Sequence, residues 1–169
     1  MIAEYRRWYE HERFANDKMI CMIESVPRKS HNAPSFIRAV NLAGHLAACR
    51  ENWLMRLHGD FTNLVDWWPV DVQQESLRTR YASLEAKWTE YLGSLSDDDL
   101  SKRFEFPTKD GKLYRWSVEG QLTQLMGHAF YHRAQIALLV DEMGGITVDT
   151  DYLYWEFEVN PEFGPVVDQ

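Results

Sequence analysis

The sequence predicts an all-α protein, a four-helix bundle with a small β-hairpin-like insertion before the last long helix. Three observations carry that prediction. Long segments between proline and glycine punctuation read with helical period. One short segment, residues 102–117, alternates instead around an Asp-Gly pair. The 169 residues, 45% hydrophobic and 14% aromatic, can bury a substantial core and, at roughly 150 residues per domain, make residues 1–169 a single domain.

The first helix spans residues 2–26 and stops before Pro27, which cannot continue it. A polar connector, 27–34, leads to a second helix that starts at Ser35 as N-cap and runs to Gly59, suited to a left-handed C-terminal cap. In the third helix Leu77, Tyr81, Leu84, Trp88, Tyr91 and Leu95 recur at steps of 4, 3, 4, 3 and 4, a core stripe on one face. The acidic run Asp97-Asp98-Asp99 lacks an EF-hand ligand loop and reads as a capped helical turn beside Ser96. The hairpin turn falls at Pro107-Thr108-Lys109-Asp110-Gly111. The fourth helix starts at a Ser117 N-cap and ends at Gly144-Gly145. Residues 146–169 form a C-terminal tail that packs through Trp155 and Phe157, because bare rings are costly.

Connection lengths leave the helix order open. The second helix, about 36 Å long, is followed by a linker that can stretch about 50 Å. The linker can return along the bundle, so the second and third helices need not be antiparallel. Within it Trp67-Trp68-Pro69 covers a core edge.

Charge excludes one class of partner. With 18 basic and 26 acidic residues the net charge is −8, and no dense Lys/Arg run opposes it, so nucleic-acid binding is not expected. Arg6-Arg7 without an apolar run is no export signal, and no segment is long enough to span a bilayer. Cys21 and Cys49 form no CxxC pair, which fits a reducing, cytoplasmic setting.

Six histidines are candidates for chemistry. His31 and His58 read as solvated loop and helix-end residues, and His11 as a surface residue of the first helix. His128 and His132 stand one turn apart on one helix face and can chelate a divalent ion, or can be two separately satisfied residues. His45 sits in the apolar part of the second helix. Burying three imidazoles apart needs three hydrogen-bonding solutions, whereas one metal satisfies all three. Neutral imidazoles suit zinc or nickel. Three ligands leave an open corner for water or substrate, the catalytic arrangement. Cys49, one turn beyond His45, would close that corner as a fourth ligand, or packs as a small hydrophobe. Ala129 stands where H-E-x-x-H needs its glutamate, so a zincin mechanism is excluded. No P-loop, G-x-G-x-x-G or G-x-S-x-G motif occurs.

The chain resembles the DinB/YfiT-like family of four-helix metal-binding proteins. The resemblance lies in Gly44-His45-Leu46-Ala47-Ala48-Cys49-Arg50-Glu51-Asn52-Trp53-Leu54 with Leu57-His58-Gly59, and in Gly127-His128-Ala129-Phe130-Tyr131-His132-Arg133-Ala134-Gln135-Ile136. Phe14-Ala15-Asn16 and Thr150-Asp151-Tyr152-Leu153 match as well, and Ala134 departs from the family's usual glycine. The resemblance implies an up-down-down-up bundle, often dimeric, with one divalent metal on His45, His128 and His132. Some members resemble thiol-dependent S-transferases that use a low-molecular-weight thiol such as bacillithiol, mycothiol or glutathione. The expected function is therefore a metal-dependent thiol transferase acting on a small electrophile, with metal-bound water or thiol as the reactive group. A metal-dependent hydrolase and a non-catalytic, metal-binding stress-response protein are the alternatives. Arg133 would bind a carboxylate, and Tyr131 and Gln135 would support the ligands. The expected partners are a small-molecule substrate and a second copy of the chain, with no nucleic acid and no membrane.

Overall fold

The periodic segments fold as the helices they encode. A computed structural model describes residues 1–108 and 110–164. Lys109 of the hairpin turn and residues 165–169 of the tail lie outside the described residues. In chain order the elements are α1 (Ile2–Ser25), a short 3-10 turn (Arg28–Ser30), α2 (Pro34–Leu57), α3 (Ser76–Ser94), α4 (Asp97–Leu100), β1 (Arg103–Pro107), β2 (Leu113–Ser117), α5 (Val118–Glu142) and α6 (Tyr152–Val159).

Local chemistry sets the helix ends. Ala33, not Ser35, is the N-cap of α2, because Pro34 takes the first helical position, where its missing N–H and fixed φ cost nothing. At the other end Gly59 has φ +79°, and the Gly59 and Asp60 N–H groups bond the Arg56 and Met55 carbonyls in a Schellman pattern. Ser117 accepts the Gly120 N–H at 3.0 Å as the cap of α5, and Gly144, with φ +74°, follows its end. Ser96 and Asp99 bond each other at the start of α4. The hairpin pairs Arg103 with Ser117 through Pro107 with Leu113 in antiparallel register.

The distribution of the core reveals the helix order. At one end Met19 and Ile23 from late α1 and Val26 just after it pack with Phe36 and Val40 from early α2, Leu77 from the start of α3, and Ile136 and Val140 from late α5. At the other end Ile2 and Tyr9 meet Leu54, Trp88, Leu92, Val118 and Leu122. Helices α1 and α5 thus run one way and α2 and α3 the other, an up-down-down-up order. The linker between α2 and α3 makes this possible by returning along the bundle. Among the described residues, no helix is long and apolar enough to cross a membrane.

Between the two ends Glu12 of α1 and Arg50 of α2 form a buried bidentate ion pair, with Nε of Arg50 2.7 Å from Oε1. The Arg50 guanidinium also lies 4.8 Å from the Trp88 ring, and the Trp88 indole N–H donates to the Arg50 carbonyl at 3.2 Å.

Part of the tail is helical, which the sequence does not indicate. Residues 152–159 form a helix, α6, against α1, where Arg7 holds Glu156 at 2.9 and 2.6 Å and lies over Trp155. Trp155 is buried, but Phe157 is 39% exposed. Two positions apart on a helix are about 200° apart in direction, so the two rings cannot share one buried face.

Candidate metal centre

Helices α2 and α5 pack side by side and antiparallel, and their histidine positions meet at one level. The ring centroids of His45 and His128 are 5.1 Å apart, those of His45 and His132 4.8 Å, and those of His128 and His132 4.6 Å. His45 and His132 are buried and His128 is partly so. The Nε2 atoms of His45 and His128 face each other at 3.2 Å. Two nitrogens bound to one tetrahedral zinc at the usual lengths lie about 3.4 Å apart.

Hydrogen bonds on the far side of two rings decide their tautomer. The His45 Nδ1–H donates to the carbonyl of Trp67, and the His132 Nδ1–H to the side-chain oxygen of Gln135 at 2.8 Å. A carbonyl only accepts, so each bond keeps a proton on Nδ1, and in the neutral ring the lone pair is on Nε2. That donor set fits a divalent metal of borderline softness.

Cys49 lies one helical turn from His45, with Sγ 3.6 Å from its Nε2. Among the described residues, the ligand atoms of His45, Cys49 and His128 all lie within 4.8 Å of one another, a group that could hold a divalent metal. His132 is not part of that group, though its ring adjoins both other histidines.

Burial governs the site's electrostatics. Desolvation pushes the His45 imidazole below its ordinary value, against the Trp67 bond and helped by His132. His128 falls to about 4, first through desolvation and then through His132, His45 and Arg50. Both rings are therefore neutral at pH 7, the form that binds metal. Burial pushes the Cys49 thiol up to about 12, opposed by Arg50.

The linker after α2 forms a strap across this site. Asn52 binds the Val65 backbone at both ends, donating at 2.9 Å and accepting at 2.8 Å, and Asn41 accepts the Val72 N–H at 3.1 Å. Gly44 has no side chain to keep Val72 and Pro69 away. The Arg56 guanidinium sits between Trp53, Trp67 and Phe106 at 4.7–4.8 Å from each ring. So latched, the strap delivers the Trp67 carbonyl to His45 and lays the Trp68 indole flat on the imidazole, 3.6 Å between centroids and 7° between planes. The Trp67 ring thus lies against Trp53 at the edge of the core, as expected, whereas Trp68 covers His45 instead. The tandem aromatic spelling was the one signal of this in the sequence.

Beside the rings opens a cleft of about 780 Å³, bounded by α2, α5 and the strap and lined by Ile37, Leu42, Trp68, Val70, Tyr131 and His132 among others. Tyr131 is exposed at its rim and Gln135 also lines it. Arg133 does not. One position beyond His132 it turns about 100° away and is buried against α1, with Nη1 3.2 Å from Asn16 and the guanidinium over Phe130. Its helix face is interior, and it is not placed to meet a carboxylate in the cleft.

The remaining histidines take structural positions. His11 is buried, not on the surface, and bonds the Thr150 carbonyl at 2.8 Å while stacking on Phe130. His31 is half-buried, bonded to the Val26 carbonyl and stacked on Phe36. His58 is exposed.

The comparisons agree with this architecture. The model of the DinB family matches residues 1–162. No match was found among curated proteins. With nearly its whole length matched, and with a helical bundle that sets two histidines of α5 against one of α2, the chain belongs to the DinB family.

Proposed function

We propose that this protein binds one divalent ion, zinc or nickel, through His45, His128 and His132 and transfers a low-molecular-weight thiol to a small electrophile. The observation that supports this most is the pair of Nδ1–H bonds to Trp67 and Gln135, which leaves Nε2 lone pairs beside an apolar cleft. An ion bound there supplies the positive charge that deprotonates a coordinating thiol at neutral pH and polarises an electrophile.

The chain's own residues do the rest. Trp67 and Gln135 hold the imidazole protons in place and aim the rings. Trp68 shields His45 from water, and the apolar walls receive the body of the substrate. In this reading Cys49 stays a protonated, packed thiol. Two free cysteines and the exposed Tyr131 and Leu138 on α5 support a cytoplasmic homodimer as the working form.

A second reading has Cys49 as a ligand that closes the site, making the protein a non-catalytic metal binder. The position of Sγ beside His45 and His128 favours it.

Metal content by mass spectrometry of the untagged protein and of its His45→Ala, His132→Ala and Cys49→Ser variants separates the two. The expected result is near one equivalent in the wild type and in Cys49→Ser, with loss in both histidine variants while the helical circular dichroism persists. Thiol-dependent turnover of small electrophiles is then the activity to find. Loss of metal in Cys49→Ser overturns the open site. A wild type that takes up neither zinc nor nickel at neutral pH overturns both readings.

A further inference from the structure

We infer that the cleft beside the histidines seats a small amphiphilic monoanion, a carboxylate with an apolar body, whose charged end is held by Arg38. The inference rests on the reading of the histidine cluster as the reactive centre and specifies the substrate class that reaches it.

Charge and position together single out Arg38. The protein carries a net charge of −8, and Arg7, Arg13, Arg50, Arg78, Arg80 and Arg115 each contact a carboxylate. Arg38 makes no ion pair among the described residues, and it is the one charged side chain lining the cleft. A guanidinium left free in an acidic protein, at the edge of an apolar cleft, matches a ligand that brings its own negative charge.

The walls specify the rest of the molecule. Ile37, Trp68 and Val70 line the cleft and are 45%, 59% and 73% exposed, so an apolar body seated there covers surface that is costly to leave in water. Asn41 lies between Arg38 and the histidines. Its side-chain oxygen is taken by the Val72 N–H, which leaves its amide N–H groups to donate. Seven residues of α2 separate Arg38 from His45, about 10 Å along the helix. A carboxylate at Arg38 therefore places the far end of a ligand some 10 Å long at His132. The cleft's volume of about 780 Å³ accommodates such a molecule.

Isothermal titration calorimetry with 4-phenylbutyrate and its neutral analogue 4-phenylbutyramide tests this on the protein as purified with its metal. The acid is expected to bind at least about tenfold more tightly than the amide, a difference of about 1.4 kcal/mol. Arg38→Gln should abolish that preference without weakening the amide, and Arg38→Lys should retain part of it. Arg38 is exposed, and circular dichroism checks that the variants stay folded.

Equal binding of acid and amide, binding of neither, or a preference that survives Arg38→Gln overturns the inference, the last because the anion would then sit on the metal. Repeating the titration after chelation keeps the two readings apart. A chain that holds no metal yet shows the Arg38-dependent preference keeps the carboxylate seat and loses the metal centre. A chain that holds its metal and shows no preference does the reverse.

Discussion

His11 illustrates what burial does to a single titratable residue. It lies among Phe130, Tyr152 and Trp155, and desolvation lowers its pKa from the ordinary 6.5, with the Thr150 carbonyl opposing and Arg133 assisting. In the unfolded chain His11 takes up a proton as pH falls through 6.5, while in the fold it stays neutral to lower pH. The unfolded state then binds more protons, so the stability contributed by His11 is present above 6.5 and is lost as pH falls below it. Urea unfolding at pH 7.5 and pH 5.5 should show a smaller loss of stability for His11→Phe than for the wild type. Equal losses would mean that the fold does not hold His11 neutral.

At the scale of elements, α2 and its strap behave as one device. Asn41, His45, Asn52 and Arg56 follow at steps of 4, 7 and 4, which keeps them on one face of α2, and all four bind the strap. Gly44 belongs to the same face. A Cβ there would lie 2.6 Å from Val72 Cγ2 and 3.2 Å from its Cγ1. A valine is branched at its root and cannot swing aside, so the strap itself must move. Two effects of Gly44→Ala on stability oppose each other: alanine favours the helix by up to about 1 kcal/mol, and overpacking costs about 1–3 kcal/mol. Net stability should change by no more than about 2 kcal/mol, while displacement of the Trp67 carbonyl from His45 should weaken zinc binding roughly 10–100-fold. Gly93→Ala on α3, with nothing within 4 Å of its Cβ, is the control. Chelator competition should show unchanged zinc affinity for it, and equal affinity in Gly44→Ala would disprove the coupling.

Over the whole molecule, the up-down-down-up order sets α2 beside α5 in antiparallel contact and so brings His45 to His128 and His132. A metal held by both helices binds the folded chain and not the unfolded one. At a free zinc concentration 100 times its Kd the fold gains about 2.7 kcal/mol, which for a chain of this size raises Tm by about 5–10 °C. Calorimetry with zinc, and again after chelation, should show that shift appear and reverse in the wild type and be absent in His132→Ala. An equal shift in that variant would place the zinc elsewhere.

Much of this molecule is local, and for that reason it was legible from the sequence. The stripe from Leu77 to Leu95, the caps at Gly59 and Ser117, the turn at Ser96 and the hairpin all follow from spacings of a few residues, where backbone geometry alone decides the outcome. The one-turn spacing of His128 and His132 is of the same kind. What only the tertiary structure decided depends on which face of an element another element covers. The burial of His11 and Arg133, the folding of residues 152–159 against α1, and the placing of Trp68 over the His45 imidazole are all of this sort. Periodicity orients a residue about its own helix axis. Only the packing of distant segments determines whether that direction meets water, a carboxylate or a histidine.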